Sequence, residues 1–203
     1  MTSSDRTAHK VWDPLVRIGH WTLVFAFFTA WFTEGDPPLH MWAGYLLAGV
    51  VLFRLLWGFV GTRHARFSDF LYSPARIAGY LKSLLGGRPE HYRGHNPAGG
   101  LMIVLLLLCL ALTATSGLVL YAMEDQAGPL AGLVATSEPA EEWWEEAHEV
   151  FGNLALLLVV VHVAGAVASS YLHRKKLVKA MITGRKAAAP AATTAGSLPS
   201  TGR

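Results

Sequence analysis

Four predominantly apolar stretches, each close to the roughly 20 residues that an α-helix needs to cross hydrocarbon, constrain this 203-residue chain more than any other feature. They run from Leu15 to Thr33, from His40 to Val60, from Ala98 to Tyr121 and from Ala147 to Leu172. A bilayer core offers no water to a free backbone N–H or C=O, so such stretches must be helices rather than open strands. The predicted fold class is therefore all-α, an integral membrane four-helix bundle. Composition agrees, because 52% hydrophobic and only 15% charged residues is too apolar for a soluble domain of this length. Cys109 is the single cysteine, which argues against an intrachain disulfide, a thiolate-ligated zinc or iron–sulfur site and a C-x-x-C-H attachment for covalent haem. The opening MTSSDRTAHKVWDP lacks the basic-then-apolar order of a signal peptide, so the first stretch is expected to stay in the mature protein.

The charges sort by connection. Arg6, Lys10 and Arg17 precede or open the first span; Arg63, Arg66, Arg76, Lys82, Arg88 and Arg93 lie between the second and third; Arg174, Lys175, Lys176, Lys179, Arg185 and Lys186 follow the fourth. The other two connections hold no Lys or Arg and carry Glu34, Asp36, Glu124, Asp125, Glu138, Glu141, Glu142, Glu145 and Glu146 instead. Basic residues resist translocation, which predicts a multi-pass protein of a bacterial inner membrane with both termini cytoplasmic. The same distribution assigns the net charge of +3 to a membrane face and argues against a nucleic-acid partner. Within the basic loop, Ser73-Pro74 reads as a helix start, with Ile77, Leu81, Leu84 and Leu85 at helical spacing, a short interfacial helix. Asn96-Pro97 opens the third span. The expected division is a cytoplasmic N-terminus over 1–14, the transmembrane domain over 15–183 and a disordered tail over 184–203.

An ionisable residue inside a membrane is costly and is a functional hypothesis by default. Four histidines lie at membrane depth: His20, His40, His148 and His162. His148 and His162 are fourteen residues apart, nearly four helical turns, so one helix presents both on one face about 21 Å apart. His40 begins the second span level with His148, and His20 lies deep in the first span level with His162. Two cross-helix pairs follow, one at each membrane level. Neutral imidazole on both sides of an iron porphyrin is a common axial arrangement, and facing helices of a bundle core can supply it, so the pattern points to two noncovalent haem b groups. Gly44 and Gly152 stand four residues after His40 and His148, where a missing side chain lets a flat macrocycle approach. Hydrogen bonding between helices is the plainer use of a membrane histidine, and four that pair by depth favour the metal.

The segments VWDPLVRIGHW, HMWAGYLLAGVVLFRLLWGFVG, ARFSDFLYSP, HNPAGG and HEVFGNLALLLVVVHV resemble the bacterial cytochrome b561 superfamily, which includes the b-type cytochrome subunits of nickel-iron hydrogenases. The resemblance runs from about Val11 to Thr183. It implies two haems held by one histidine from each of the first two helices and two from the fourth, which fall on His20, His40, His148 and His162. It also implies electron exchange with quinone or with a partner redox subunit.

Arg17 and Arg54 sit near the basic ends of the first two spans, where they could neutralise haem propionates or snorkel to headgroups. His95 could bond a propionate or take a quinol proton, although a solvated loop histidine is the simpler reading. His9, His64, His91 and His173 read as surface residues. Met41, Met123 and Cys109 read as packing. The acidic stretch through Glu146, with Trp143 and Trp144, is a solvated face or a dock for a basic periplasmic c-type cytochrome. The expected role is an electron-transfer subunit rather than a self-contained enzyme. Its partners are expected to be membrane lipid, quinone and either that cytochrome or a hydrogenase-like subunit. The competing readings are a haem-free membrane anchor of a redox complex and a histidine-based proton channel or transporter. Against the channel, the third span offers only Thr113, Thr115 and Ser116 as polar lining.

Overall fold

The computed structural model describes residues 8–10, 13–86, 92, 96–172 and 177–187. Four long helices form the body: α1 (Pro14–Phe32), α2 (Pro37–Val60), α4 (Pro97–Glu124) and α5 (Glu138–Leu172), with the short α3 (Pro74–Leu85) and α6 (Leu177–Thr183) on one end. All four long helices are long and apolar enough to span a membrane. His91, His95 and His173 lie outside the described residues, as do Arg6, Arg88, Arg93 and Arg174–Lys176.

Four helix starts share one device. Asp13, Asp36, Ser73 and Asn96 each accept a hydrogen bond from a backbone N–H of the first turn, and each is followed by proline at the first helical position. Proline there loses nothing, because that N–H has no intrahelical acceptor. The fifth start differs from expectation. α5 begins at Glu138, nine residues before the apolar stretch opens at Ala147, and its 35 residues extend about 52 Å, well beyond a hydrocarbon core of about 30 Å. Glu138 and Glu141 in its first turn complement the positive end of the helix dipole, and outside the bilayer an acidic face is solvated.

α1 packs on α2, α2 on α4 and α4 on α5. At mid-height Ala26, Phe27, Leu47, Val51, Cys109, Leu110 and Ala155 form the buried core, with Ala26 and Ala155 fully enclosed. Small residues at this level let the helix backbones approach, which is how association is gained where lipid is as apolar as leucine. The Cys109 thiol donates to the Phe151 carbonyl at 3.3 Å, and Cys109 and Met123 are both buried, as expected for packing residues.

The basic end is closed by two aromatic plugs. The loop after α2 folds as two single-turn 3₁₀ helices, Arg63–Ala65 and Phe67–Asp69. Phe67 lies against Gly58 of α2 and the Phe70 carbonyl lies against Gly100 of α4, so tightly that a Cβ at either glycine would overlap its neighbour. Asp13 ties the same end together: beside capping α1 through Val16 N at 2.8 Å, it accepts from Trp57 Nε1 at 3.2 Å and Thr62 Oγ1 at 2.6 Å. Arg17 donates Nε to the Met181 carbonyl at 3.2 Å and a terminal nitrogen to the Ile182 carbonyl, closing the last turn of α6. The tail expected to begin unstructured at 184 starts with a strand, β2 (Arg185–Ala187), which pairs antiparallel with β1 (Ala8–Lys10) and joins the two ends of the described chain.

Gly100→Val should lower the thermal unfolding temperature in detergent by overpacking, an effect of about 1–3 kcal/mol, because the obstruction is backbone and cannot rotate away. For Asp13, burial acts to raise the carboxyl's pKa, yet the bonds from Thr62, Val16, Trp57 and Leu15 outweigh it and hold it below the ordinary value. Its contribution is thus complete above the unfolded carboxyl's pKa and is lost as pH falls through the lowered folded value. Thermal melts taken down an acidic pH series should show that loss in the parent and a flatter response in Asp13→Asn.

Candidate functional site

The bundle brings the four membrane histidines together in two pairs. Near the acidic end, the rings of His40 on α2 and His148 on α5 have centroids 6.1 Å apart and cross at 76°. Toward the basic end, His20 on α1 and His162 on α5 have centroids 6.4 Å apart at 52°. The core layer around Ala155 separates them, seven residues from either α5 histidine and so about 10 Å from each level. Two imidazoles sharing one metal through bonds of about 2 Å put their ring centres about 6 Å apart, a separation both pairs meet. Among the described residues no group of three His, Cys, Asp or Glu could hold a bare ion. Paired donors of this kind suit a metal whose remaining ligands come with it, as in a porphyrin.

The two levels differ in how their rings are held. Near the acidic end His40 Nδ1 lies 2.9 Å from the Ala30 carbonyl at the end of α1, and His148 Nδ1 lies 3.0 Å from the Thr113 carbonyl of α4. A carbonyl oxygen can only accept, so in both rings the proton sits on Nδ1 and Nε2 keeps its lone pair. That is the tautomer a metal ligand requires, fixed by main chain. At the other level His20 Nδ1 is buried with no hydrogen-bond partner.

Room for a flat group exists beside the pair near the acidic end. Gly44 is partly buried, yet a Cβ built there would meet nothing within 4 Å; the other glycines with such open space, Gly35, Gly49, Gly79, Gly132 and Gly165, are exposed on the surface. Gly152, also partly buried, has only Trp31 Cζ3 at 4.0 Å. The opposite holds at Gly117 on α4, where a Cβ would stand 2.9 Å from His148 Cε1, so α4 forms the wall behind that ring.

The two arginines part company. Arg17 is engaged by the α6 carbonyls. Arg54 has its guanidinium 5.5 Å from the Phe67 ring centre and 5.8 Å from that of Phe70, with Nη1 buried and unpartnered. The plugs that close the basic end thus also position a cation with a donor to spare. Sequence reasoning did not assign α4 any part in the site, since it has no histidine. The signal was there in Thr113, Thr115 and Ser116, the polar interruption of a leucine-rich span at the depth of His148.

Four spans carrying cross-helix imidazole pairs at two heights define a membrane cytochrome of b type. The chain belongs to the prokaryotic cytochrome b561 family, whose model matches residues 11–184. Membership brings haem b and membrane electron transfer. The chain is 27% identical to a "Probable Ni/Fe-hydrogenase B-type cytochrome subunit" of Rhizobium leguminosarum bv. viciae over 90% of both chains. Proteins of the same description match from Azotobacter vinelandii, at 27% identity over 88% of both chains, and from Rhodobacter capsulatus, at 24% over 89% of this chain and 82% of the relative. No solved structure matches.

Gly117→Val should displace the His148 ring, since the added carbons occupy the ring's position. The expected readout is a lower haem-to-protein ratio in the purified variant, with the helical circular dichroism of the parent retained.

Proposed function

We propose that the chain holds two haem b groups, one between His40 and His148 and one between His20 and His162, and passes electrons between them across a bacterial inner membrane. The observation that carries this reading is the pair of imidazole couples at 6.1 and 6.4 Å, set at two levels by one continuous helix. When bound, each haem supplies a one-electron iron couple. With His40 and His148 holding one haem and His20 and His162 the other, no coordination site would remain for a substrate, which favours electron relay over chemistry on a bound molecule.

The chain's own part is to hold, orient and enclose. Ala30 and Thr113 carbonyls keep the Nε2 lone pairs of His40 and His148 available, and Gly44 and Gly152 leave space for the macrocycle. Arg54, with its free Nη1, is the residue assigned to a haem propionate near the basic end; Arg17, whose donors go to α6, closes that helix instead. The positive-inside rule assigns the basic end, with α3, α6 and both termini, to the cytoplasm, and the acidic end to the outer face. That its relatives are described as hydrogenase B-type cytochrome subunits suggests a nickel-iron hydrogenase as electron donor, which would dock on that outer face. The quinone pool is the proposed acceptor.

Pyridine haemochrome measurement on the purified protein should give two haems per polypeptide, and paired b-type bands should appear in the reduced-minus-oxidised spectrum. His40→Ala or His148→Ala should remove one haem, and His20→Ala or His162→Ala the other. A haem-free preparation that still assembles with its partner enzyme would instead support an anchoring role.

A further inference from the structure

Ser116 is the one fully buried polar side chain among the described residues, and it lies in α4, a helix with no histidine. Its hydroxyl is 2.9 Å from the Thr113 carbonyl and 3.0 Å from His148 Nδ1, while Nδ1 is itself 3.0 Å from that same carbonyl. Three polar atoms thus form a closed triangle in an apolar helix interface. The carbonyl can only accept, which fixes the donors: Ser116 gives its hydrogen to Thr113 O, and the imidazole gives the Nδ1 hydrogen into the space between the two oxygens. The serine's lone pairs then face that hydrogen as a second acceptor. Backbone bonding from a hydroxyl three residues along is ordinary for a helical serine. Facing the imidazole at the same time is not, and Gly117 beside it keeps α4 close enough for the contact.

We propose that Ser116 is a positioning residue for His148, which orients the ring in the tautomer that the Thr113 carbonyl fixes and raises the electron-donating power of Nε2. This rests on the two-haem reading above. A hydrogen bond accepted from the distal N–H of a ligating imidazole makes the ring a stronger donor, and a stronger axial donor stabilises the oxidised iron. Among the described residues His40 Nδ1 donates only to the Ala30 carbonyl, and His20 at the other level has no Nδ1 partner. The hydroxyl therefore acts on one axial ligand of one of the two haems.

The test is a potentiometric titration of the purified full-length protein, the parent beside Ser116→Ala and Ser116→Thr, with haem counted per chain and ferric signals recorded by electron paramagnetic resonance. Ser116→Ala removes one oxygen and should keep both haems. It should shift upward only the midpoint that His148→Ala eliminates, change the g values of the matching ferric signal, and leave the other haem as in the parent. Ser116→Thr, which keeps the hydroxyl, should return both readouts toward parental values. Unchanged midpoints and g values in Ser116→Ala, with two haems still bound, would overturn the role of Ser116 and leave the two-haem reading intact. Equal shifts of both haems would also overturn it, as a general loosening of the bundle. Fewer than two haems in the parent itself would sink both.

Discussion

The structure depends on one constraint: a polar atom inside hydrocarbon must find its partner within the protein. Four imidazoles in an apolar bundle are the acute case. An imidazole has one donor and one acceptor nitrogen when neutral, so every ring placed at membrane depth must have two partners or leave an atom bare. Near the acidic end both donors are satisfied by main-chain carbonyls, Ala30 for His40 and Thr113 for His148. These partners are backbone atoms of neighbouring helices, so helix packing and ring orientation are a single problem. The acceptor nitrogens remain, and on the proposed reading haem iron is their partner.

The same constraint explains how the two ends of the bundle are finished. At the basic end the guanidinium of Arg54 is brought inside near the Phe67 and Phe70 rings; the Phe67 ring is admitted only because Gly58 has no side chain to oppose it, and the Phe70 main chain only because Gly100 has none. Asp13 joins α1 to the end of α2 through Trp57 and Thr62. At the acidic end no such closure is needed, because α5 simply continues into water with carboxylates on its first turn. One end is a packed cap around a buried cation and the other an exposed acidic helix.

The two histidine levels are consequently unlike. One is walled by α4, with Gly117 against the His148 ring and the Ser116 hydroxyl at its edge. The other has an unpartnered His20 Nδ1 and lies toward the end where the spare Arg54 donor is held. On the proposed two-haem reading, two chemically identical groups can be distinguished only through such surroundings, by hydrogen bonds to ligands, by nearby charge and by burial.

Much of this was legible in the residues. Hydropathy located the four spans to within a few residues except at the start of α5, where a solvated helix leaves no apolar signal to read. Depth counting paired His40 with His148 and His20 with His162, because rise per residue in a straight helix is fixed and each pair need only agree in height. The glycines four residues on were equally visible. Arg17 and Arg54 looked equivalent by position, and only the fold separated them, giving one to the α6 carbonyls and leaving the other a free donor. Ser116 and Thr113 could be seen as polar but not as partners of His148. What the sequence by itself determined is what depends on periodicity and transfer energy along one chain: which segments span, which end is basic, and at what heights the imidazoles sit. What only the tertiary structure decided is which atoms meet between helices, since azimuth and contact across an interface are set by packing that no single helix encodes.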